Sequence, residues 1–169
     1  DHAGATVLFH QPRWIEAMRQ AYPRFRPSHL VLEEDGAIAG VLPVLEKRAW
    51  GLGEVVSNPF GTYGGPILDA NATREGVRAL AAAFLARARR FGVLRFEMSM
   101  FDAAPETRQE LVAVLGAFAL PSSTWLIDLN GGEEAVWNGY EGRGRTAVRR
   151  ARELGVTTAP EEGDAAVAA

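Results

Sequence analysis

The segment from Arg74 to Phe91 does most to narrow the folds open to this chain. Val77, Leu80, Ala81, Phe84, Leu85 and Ala88 recur at the 3.6-residue period of one helix face, while Arg78, Arg87, Arg89 and Arg90 lie largely off it. Gly92 follows as a C-cap residue. Val93 to Met100 then switches to strand alternation through Leu94, Phe96 and Met98. A long amphipathic helix leading straight into a strand, with strand signals ahead of it, calls for a mixed α/β domain.

The flanking sequence extends that order. Trp14, Ile15, Met18 and Tyr22 set a helix over Pro12 to Tyr22, with Pro12 in its first turn and Pro23 closing it. His29 to Leu32 reads as a strand, Glu34-Asp35-Gly36 as a turn, and Ile38 to Lys47 as the partner strand, with Pro43 marking an edge or a bulge. Glu54 to Ser57 and Ile67-Leu68 read as short strands around the loop Asn58 to Pro66. Pro105 to Phe118 is a second amphipathic helix, with Leu111, Val112, Leu115 and Phe118 inward. Ser122 to Leu129 reads as a strand. A helical region follows through Val136, Trp137 and Tyr140, is interrupted by Gly142 and Gly144, and resumes from Thr146 to Leu154 with Gly155 as its cap. Val156 to Thr158 reads as a last strand, and the tail opens a further element.

With 169 residues, 47% of them hydrophobic, the chain has enough apolar mass for a sizeable core. There is no cysteine, which excludes a disulfide framework, a thiolate zinc site and a cysteine nucleophile. No apolar run is long enough to span a membrane and no secretory signal opens the sequence, so a cytoplasmic setting is expected. Asp1 reads as a cut point. A net charge of −3 argues against a domain that is basic all over and coats nucleic acid. Lys47 is the only lysine, so the choice of arginine elsewhere does not by itself specify anion binding.

Four local features bear on chemistry. Arg48 to Gly53, RAWGLG, matches a pyrophosphate-loop pattern, but the strand-like residues after it favour a plain hairpin turn. In NPFGTYGGP, Gly61, Gly64 and Gly65 either admit a ligand close to the backbone or only satisfy turn geometry, and Phe60 and Tyr63 are candidates for a ligand wall. Arg143, Arg145, Arg149, Arg150 and Arg152 crowd one short segment. Their charges repel unless an anion sits nearby or Glu133, Glu134, Glu141 or Glu153 pairs with them. Glu97 and Asp102 read either as an acid–base pair or as a cap and an ion-pair partner. His2, His10 and His29 lack metal spacing and read as structural or surface residues.

Together these residues resemble the Fem-type (FemAB-like) peptidyltransferases and their GNAT-like acyltransferase relatives. Phe9-His10 followed by Trp14 resembles the family's opening helix, and Ile38 to Pro43 resembles its GVLPL strand. Ser57 to Phe60 with Tyr63-Gly64-Gly65-Pro66 resembles its S-x-P-F and Y-G-G-P loop. Arg143 to Ala151 with Gly155-Val156 resembles its K-x-R-N-x-I-R-K-A helix. Thr146 stands where the family has Asn, and Arg143 and Arg150 replace lysines.

The resemblance implies a GNAT-like fold and places this chain as the N-terminal of two such domains, with residues 1–158 forming the domain and 159–169 beginning a truncated following segment. It implies a bacterial enzyme of cell-wall (peptidoglycan) biogenesis that moves an aminoacyl group from charged tRNA to an amine of a nucleotide-linked muropeptide. No permanently bound cofactor or metal is expected, and this stretch alone is expected to be inactive without its second domain. An acyl-CoA-dependent N-acyltransferase of amines or polysaccharides, and a non-catalytic RNA- or precursor-binding module, remain open. Phe60, Tyr63, Gly64 and Gly65 are then expected at the acceptor groove, and Arg143, Arg145 and Arg149 on anionic groups. No residue is assigned as catalytic.

Overall fold

The computed structural model describes residues 8–90, 92–101 and 103–159. The chain divides into two compact units, residues 1–120 and 121–169. The first opens with a single 3-10 turn, Leu8–His10, and α1, Pro12–Ala21. It continues with β1 (Phe25–Pro27), β2 (Leu30–Glu34), β3 (Ala37–Leu42), β4 (Leu45–Ala49), β5 (Leu52–Val56) and β6 (Ile67–Leu68). Then come α2 (Arg74–Ala88), β7 (Val93–Glu97) and α3 (Pro105–Leu115). The mixed α/β order read from the sequence is therefore present. Phe91, at the end of the expected long helix, lies outside the described residues, as does the tail from 160 onward.

The strands form two sheets, ordered β1-β4-β5-β7 and β2-β3-β6. Every pairing is antiparallel except β5 with β7. A parallel pair requires a crossover, and α2 lies in the connection between those two strands.

The expected single strand Ile38 to Lys47 is instead two strands in different sheets. Pro43 cannot donate to a ladder, so β3 ends at Leu42 and β4 begins at Leu45. The crossing is deep: Leu42, Val44 and Leu45 are fully buried. The Val44 backbone is satisfied locally, donating to His29 Nδ1 at 3.2 Å and accepting from the Ser28 N–H at 2.8 Å.

α2 supplies the core as its spacing requires. Leu80 and Phe84 pack with Leu32, Leu42, Val44 and Val55, while Val77 and Ala81 meet Leu111 of α3. On the other side α1 lays Met18 and Trp14 over Phe25, Leu45 and Val56. Glu34 at the end of β2 anchors the start of α2. Its carboxylate accepts the Thr73 N–H at 2.8 Å and the Thr73 hydroxyl, while Thr73 Oγ1 caps the Gly76 N–H at 3.1 Å. These hydrogen bonds hold the Glu34 carboxyl below its ordinary pKa. One inward assignment fails: Phe118 is exposed because the helix stops at Leu115, where Gly116 turns left-handed. The alternation through Leu94 is broken by a register shift in β7, where Leu94 is the extra, exposed residue.

In the second unit the described residues hold two helices, α4 (Gly132–Gly139) and α5 (Gly142–Glu153). Ser122 to Leu129 forms no strand; it has no ladder partner, and a strand pattern is realised only against a neighbour. Gly142 and Gly144 do not interrupt a helix but sit in the first turn of α5, whose N–H groups need no intrahelical partner. Val156 to Thr158 is also not a strand. The Gly155 and Val156 N–H groups bond Arg152 O and Ala151 O, both at 3.0 Å, and close α5 as a Schellman cap.

Candidate functional site

The loop Asn58 to Pro66 leaves the C-terminal end of β5 next to its parallel neighbour β7, the place where open α/β sheets present ligand crevices. Pro59 to Thr62 makes a tight turn, with the Thr62 N–H on Pro59 O at 3.3 Å and positive φ at Phe60 (62°) and Gly61 (70°). The remainder is stitched to the chain after β7. Ser57 Oγ accepts the Ser99 N–H at 3.1 Å, and the Gly64 N–H reaches Ser99 O at 2.8 Å. Gly64 and Gly65 are buried, and neither has positive φ. A Cβ on Gly64 would stand 2.6 Å from Ser57 O, and one on Gly65 would stand 2.6 Å from Met100 Cγ. Their smallness lets the loop pack on its own protein.

Beside this loop opens a cleft of about 580 Å³, within the range of small-molecule sites. Its walls come from the Gly65–Ala72 segment, the start of α2 and the approach to α3. Ile67, Leu68, Val77 and Met100 give it an apolar floor, and Asp69, Arg74, Glu106 and Glu110 give it a charged rim. Glu110 is already balanced: it pairs with Arg74 and lies 3.6 Å from Arg78 Nε. His10 lines the cleft and its Nε2 is 3.0 Å from Gly65 O. Burial lowers the His10 pKa, partly offset by that hydrogen bond, which favours a neutral ring at neutral pH.

A smaller recess of about 140 Å³ lies on the front of the four-stranded sheet. Phe25, Lys47, Glu54 and Arg95 face one another in one row across β1, β4, β5 and β7. Lys47 Nζ is 3.3 Å from Glu54 and 5.3 Å from the Phe25 ring centroid. Arg95 pairs with Glu97. The row is thus charge-balanced, and Glu97 serves as an ion-pair partner; Asp102 lies outside the described residues.

The candidate residues divide into three groups. Phe60 lines the small recess and stacks near Tyr22 (4.8 Å) and Phe25 (6.0 Å). Tyr63 packs near Phe101 (5.1 Å) and Phe9 (6.1 Å), and Gly65 lines the large cleft. Arg143, Arg145 and Arg149 sit on α5 of the second unit. RAWGLG is a two-residue hairpin turn, with φ of 56° at Trp50 and 80° at Gly51, between β4 and β5.

The crystal structure of FemX matches with a TM-score of 0.56 at 18% identity, over 90% of this chain and 40% of that chain. The chain has a Fem-type fold. No family model matches it, and no curated protein matches it in sequence. The FemX likeness bears out the mixed α/β, Fem-type fold expected from the sequence, and this chain spans 40% of the FemX length. Among the described residues no helix is long and apolar enough to cross a membrane, and no group of three or more metal-binding side chains comes together.

Sequence reasoning missed His10, Arg74, Glu110 and Asn58 as parts of the site. His10 carried a signal in the Phe9-His10 pair, and Asn58 in its place at the head of a Gly- and Pro-rich loop. Arg74 and Glu110 lie 36 residues apart, and only the packing of α2 on α3 joins them.

Proposed function

We propose that this chain is the acceptor-binding part of a transferase that moves an aminoacyl group from charged tRNA to an amine of a nucleotide-linked cell-wall peptide precursor. The Fem-type fold over 90% of the chain carries the reading. The cleft beside the Y-G-G-P loop supports it, being large enough for the peptide part of such an acceptor. Asp69 and Glu106 on its rim suit a protonated amine. Gly65 lines the groove, with Tyr63 and Gly64 in the same loop, whereas Phe60 belongs to the smaller recess; Arg149 of α5 takes up anionic groups. A second GNAT-like domain completes the site in a bacterial, cytoplasmic enzyme.

In this reaction the bound ammonium first loses one proton to water or a rim carboxylate; the free amine nitrogen then attacks the ester carbonyl, the C–N bond forms, the ester C–O bond breaks, and the terminal ribose oxygen leaves with the second proton that the nitrogen gives up. Positioning and oxyanion stabilisation carry most of such a step, so no dedicated nucleophile is required. The acyl-CoA alternative is less well supported. RAWGLG is a two-residue turn between strands and offers no helix N-terminus to a pyrophosphate.

A thermal-shift titration of the chain with nucleotide-linked muropeptide, aminoacyl-tRNA and acetyl-CoA tests the reading, because a ligand stabilises the native state it binds. Stabilisation by muropeptide or aminoacyl-tRNA, with none by acetyl-CoA, is expected. Stabilisation by acetyl-CoA alone overturns it in favour of an N-acyltransferase.

A further inference from the structure

The RAWGLG turn carries a residue that neither turn geometry nor packing accounts for. Trp50 and Gly51 hold its two central positions, both at positive φ. Asn-Gly is the ordinary choice there, because a bulky side chain strains the left-handed region. Burial does not compensate. The Trp50 side chain is 98% exposed, and among the described residues its ring meets no other ring and no cation. A large apolar ring is thus held out at the tip of β4 and β5.

The surroundings of the tip are apolar and positive. Leu52 directly follows the turn, and Leu94 follows Val93, the partner of Gly53; both are exposed. The end of α2 abuts the same turn. The Gly53 N–H donates to Gly92 O at 2.7 Å and the Val93 N–H to Arg90 O at 3.1 Å, while Gly92 lies so near Gly51 O that no Cβ fits there. This brings Arg89, the C-cap residue of α2, to the end of the sheet that carries Arg48. Among the described residues neither arginine has a carboxylate partner. The acids of β4 and β5 are engaged elsewhere, Glu46 by Arg87 and Arg90 and Glu54 by Lys47.

An indole flanked by arginines suits the boundary between lipid headgroups and acyl chains. The ring buries its apolar body there and keeps its N–H wet. Arginine stems run along the apolar side and leave their guanidiniums among lipid phosphates. A protein partner needs a broad complementary surface, about 800 Å² on each side, whereas a two-residue turn with one projecting ring offers a point. A bilayer interface is a surface that a point can enter.

We propose that the β4–β5 turn is a peripheral membrane contact: Trp50, with Leu52 beside it, enters the interface of an anionic bilayer, and Arg48 and Arg89 meet its phosphates. Contacts this small give reversible binding. The proposal stands apart from the readings of donor and acceptor.

The test is flotation of the chain with vesicles of phosphatidylglycerol and phosphatidylcholine. Trp50→Asn loses most of the binding while its melting temperature holds or rises, because asparagine suits the left-handed turn. Trp50→Phe, which keeps an aromatic ring at the tip, retains more of the binding than Trp50→Asn. Arg48→Ala/Arg89→Ala lowers partitioning about 25-fold, at about fivefold per arginine near an anionic surface. Arg13→Ala/Arg108→Ala makes the same change in net charge on α1 and α3 and lowers it far less. Trp125→Asn removes another fully exposed indole and keeps the binding. Absence of vesicle binding by the unsubstituted chain, or equal binding by Trp50→Asn, overturns the proposal. Equal partitioning into pure phosphatidylcholine overturns the part given to the arginines. Self-association that Trp50→Asn abolishes, without vesicle binding, replaces the lipid with a second copy of the chain.

Discussion

The side-chain amide of Asn58 donates to the Tyr63 carbonyl at 2.9 Å, closing the Asn58–Pro66 loop onto its own first residue. The same nitrogen reaches Phe9 O at 3.0 Å and so ties the loop to the turn ahead of α1. Asn58 is 1% exposed. The cleft wall at Gly65 therefore depends on one buried amide.

Replacing Asn58 with Ala leaves two carbonyls short of a donor at a buried position. The expected loss is about 2 kcal/mol or more of unfolding free energy. Urea unfolding at neutral pH measures it, and a change of only a few tenths of a kcal/mol contradicts the clamp.

Gly64 and Gly65 should respond differently to alanine. At Gly64 the new methyl meets the Ser57 backbone oxygen, which cannot swing aside. At Gly65 it meets the flexible Met100 side chain. Gly64→Ala should cost about 1–3 kcal/mol with no rescue. Gly65→Ala should regain stability when combined with Met100→Ala. Melting temperatures of the single and double variants decide, and additive losses at Gly65 and Met100 would falsify the contact.

His29 makes stability depend on pH. Burial, and then the charge of Arg87, lowers its pKa below that of an ordinary imidazole. Its Nδ1 accepts the Val44 N–H, which needs the neutral ring. Because the fold disfavours the imidazolium, the His29 contribution is fully present above about pH 6.5. It is lost as pH falls through the lower folded-state pKa. His29→Asn should therefore show a smaller drop in melting temperature between pH 7.5 and 5.5 than the parent chain. An equal drop in both means that His29 is not the group responsible.

Arg145 should matter to the α4–α5 pair rather than to an anionic ligand. Arg145→Ala removes the donors on Asn138 O and Tyr140 O. Far-ultraviolet circular dichroism should report a loss of helix on mild heating, whereas Arg150→Ala should leave the melting curve unchanged.

How much of this was legible in the sequence depended on the reach of each signal. Periodicity placed α2 and its inward face because both are local. The turn at Trp50-Gly51 was legible for the same reason. Pro43 was seen as an anomaly, but that it moves the chain from one sheet to another required knowing which strands lie on either side. Ser122 to Leu129 has a strand-forming composition, with Trp125, Leu126 and Ile127 in succession, yet composition records only a capacity for pairing. Tyr63, Gly64 and Gly65 carried a loop signature, while the cleft beside them is built by Met100, Arg74 and Glu110 from distant segments. The arginine cluster was plain to see, but that Arg145 braces α4 against α5 follows from how the two helices face one another.

Hydrogen–deuterium exchange of the chain with and without saturating nucleotide-linked muropeptide tests the central claim most directly. The account predicts slowed exchange at residues 65–72 and 103–110, the walls of the 580 Å³ cleft. Binding with unchanged exchange in both segments contradicts the placement of the acceptor there.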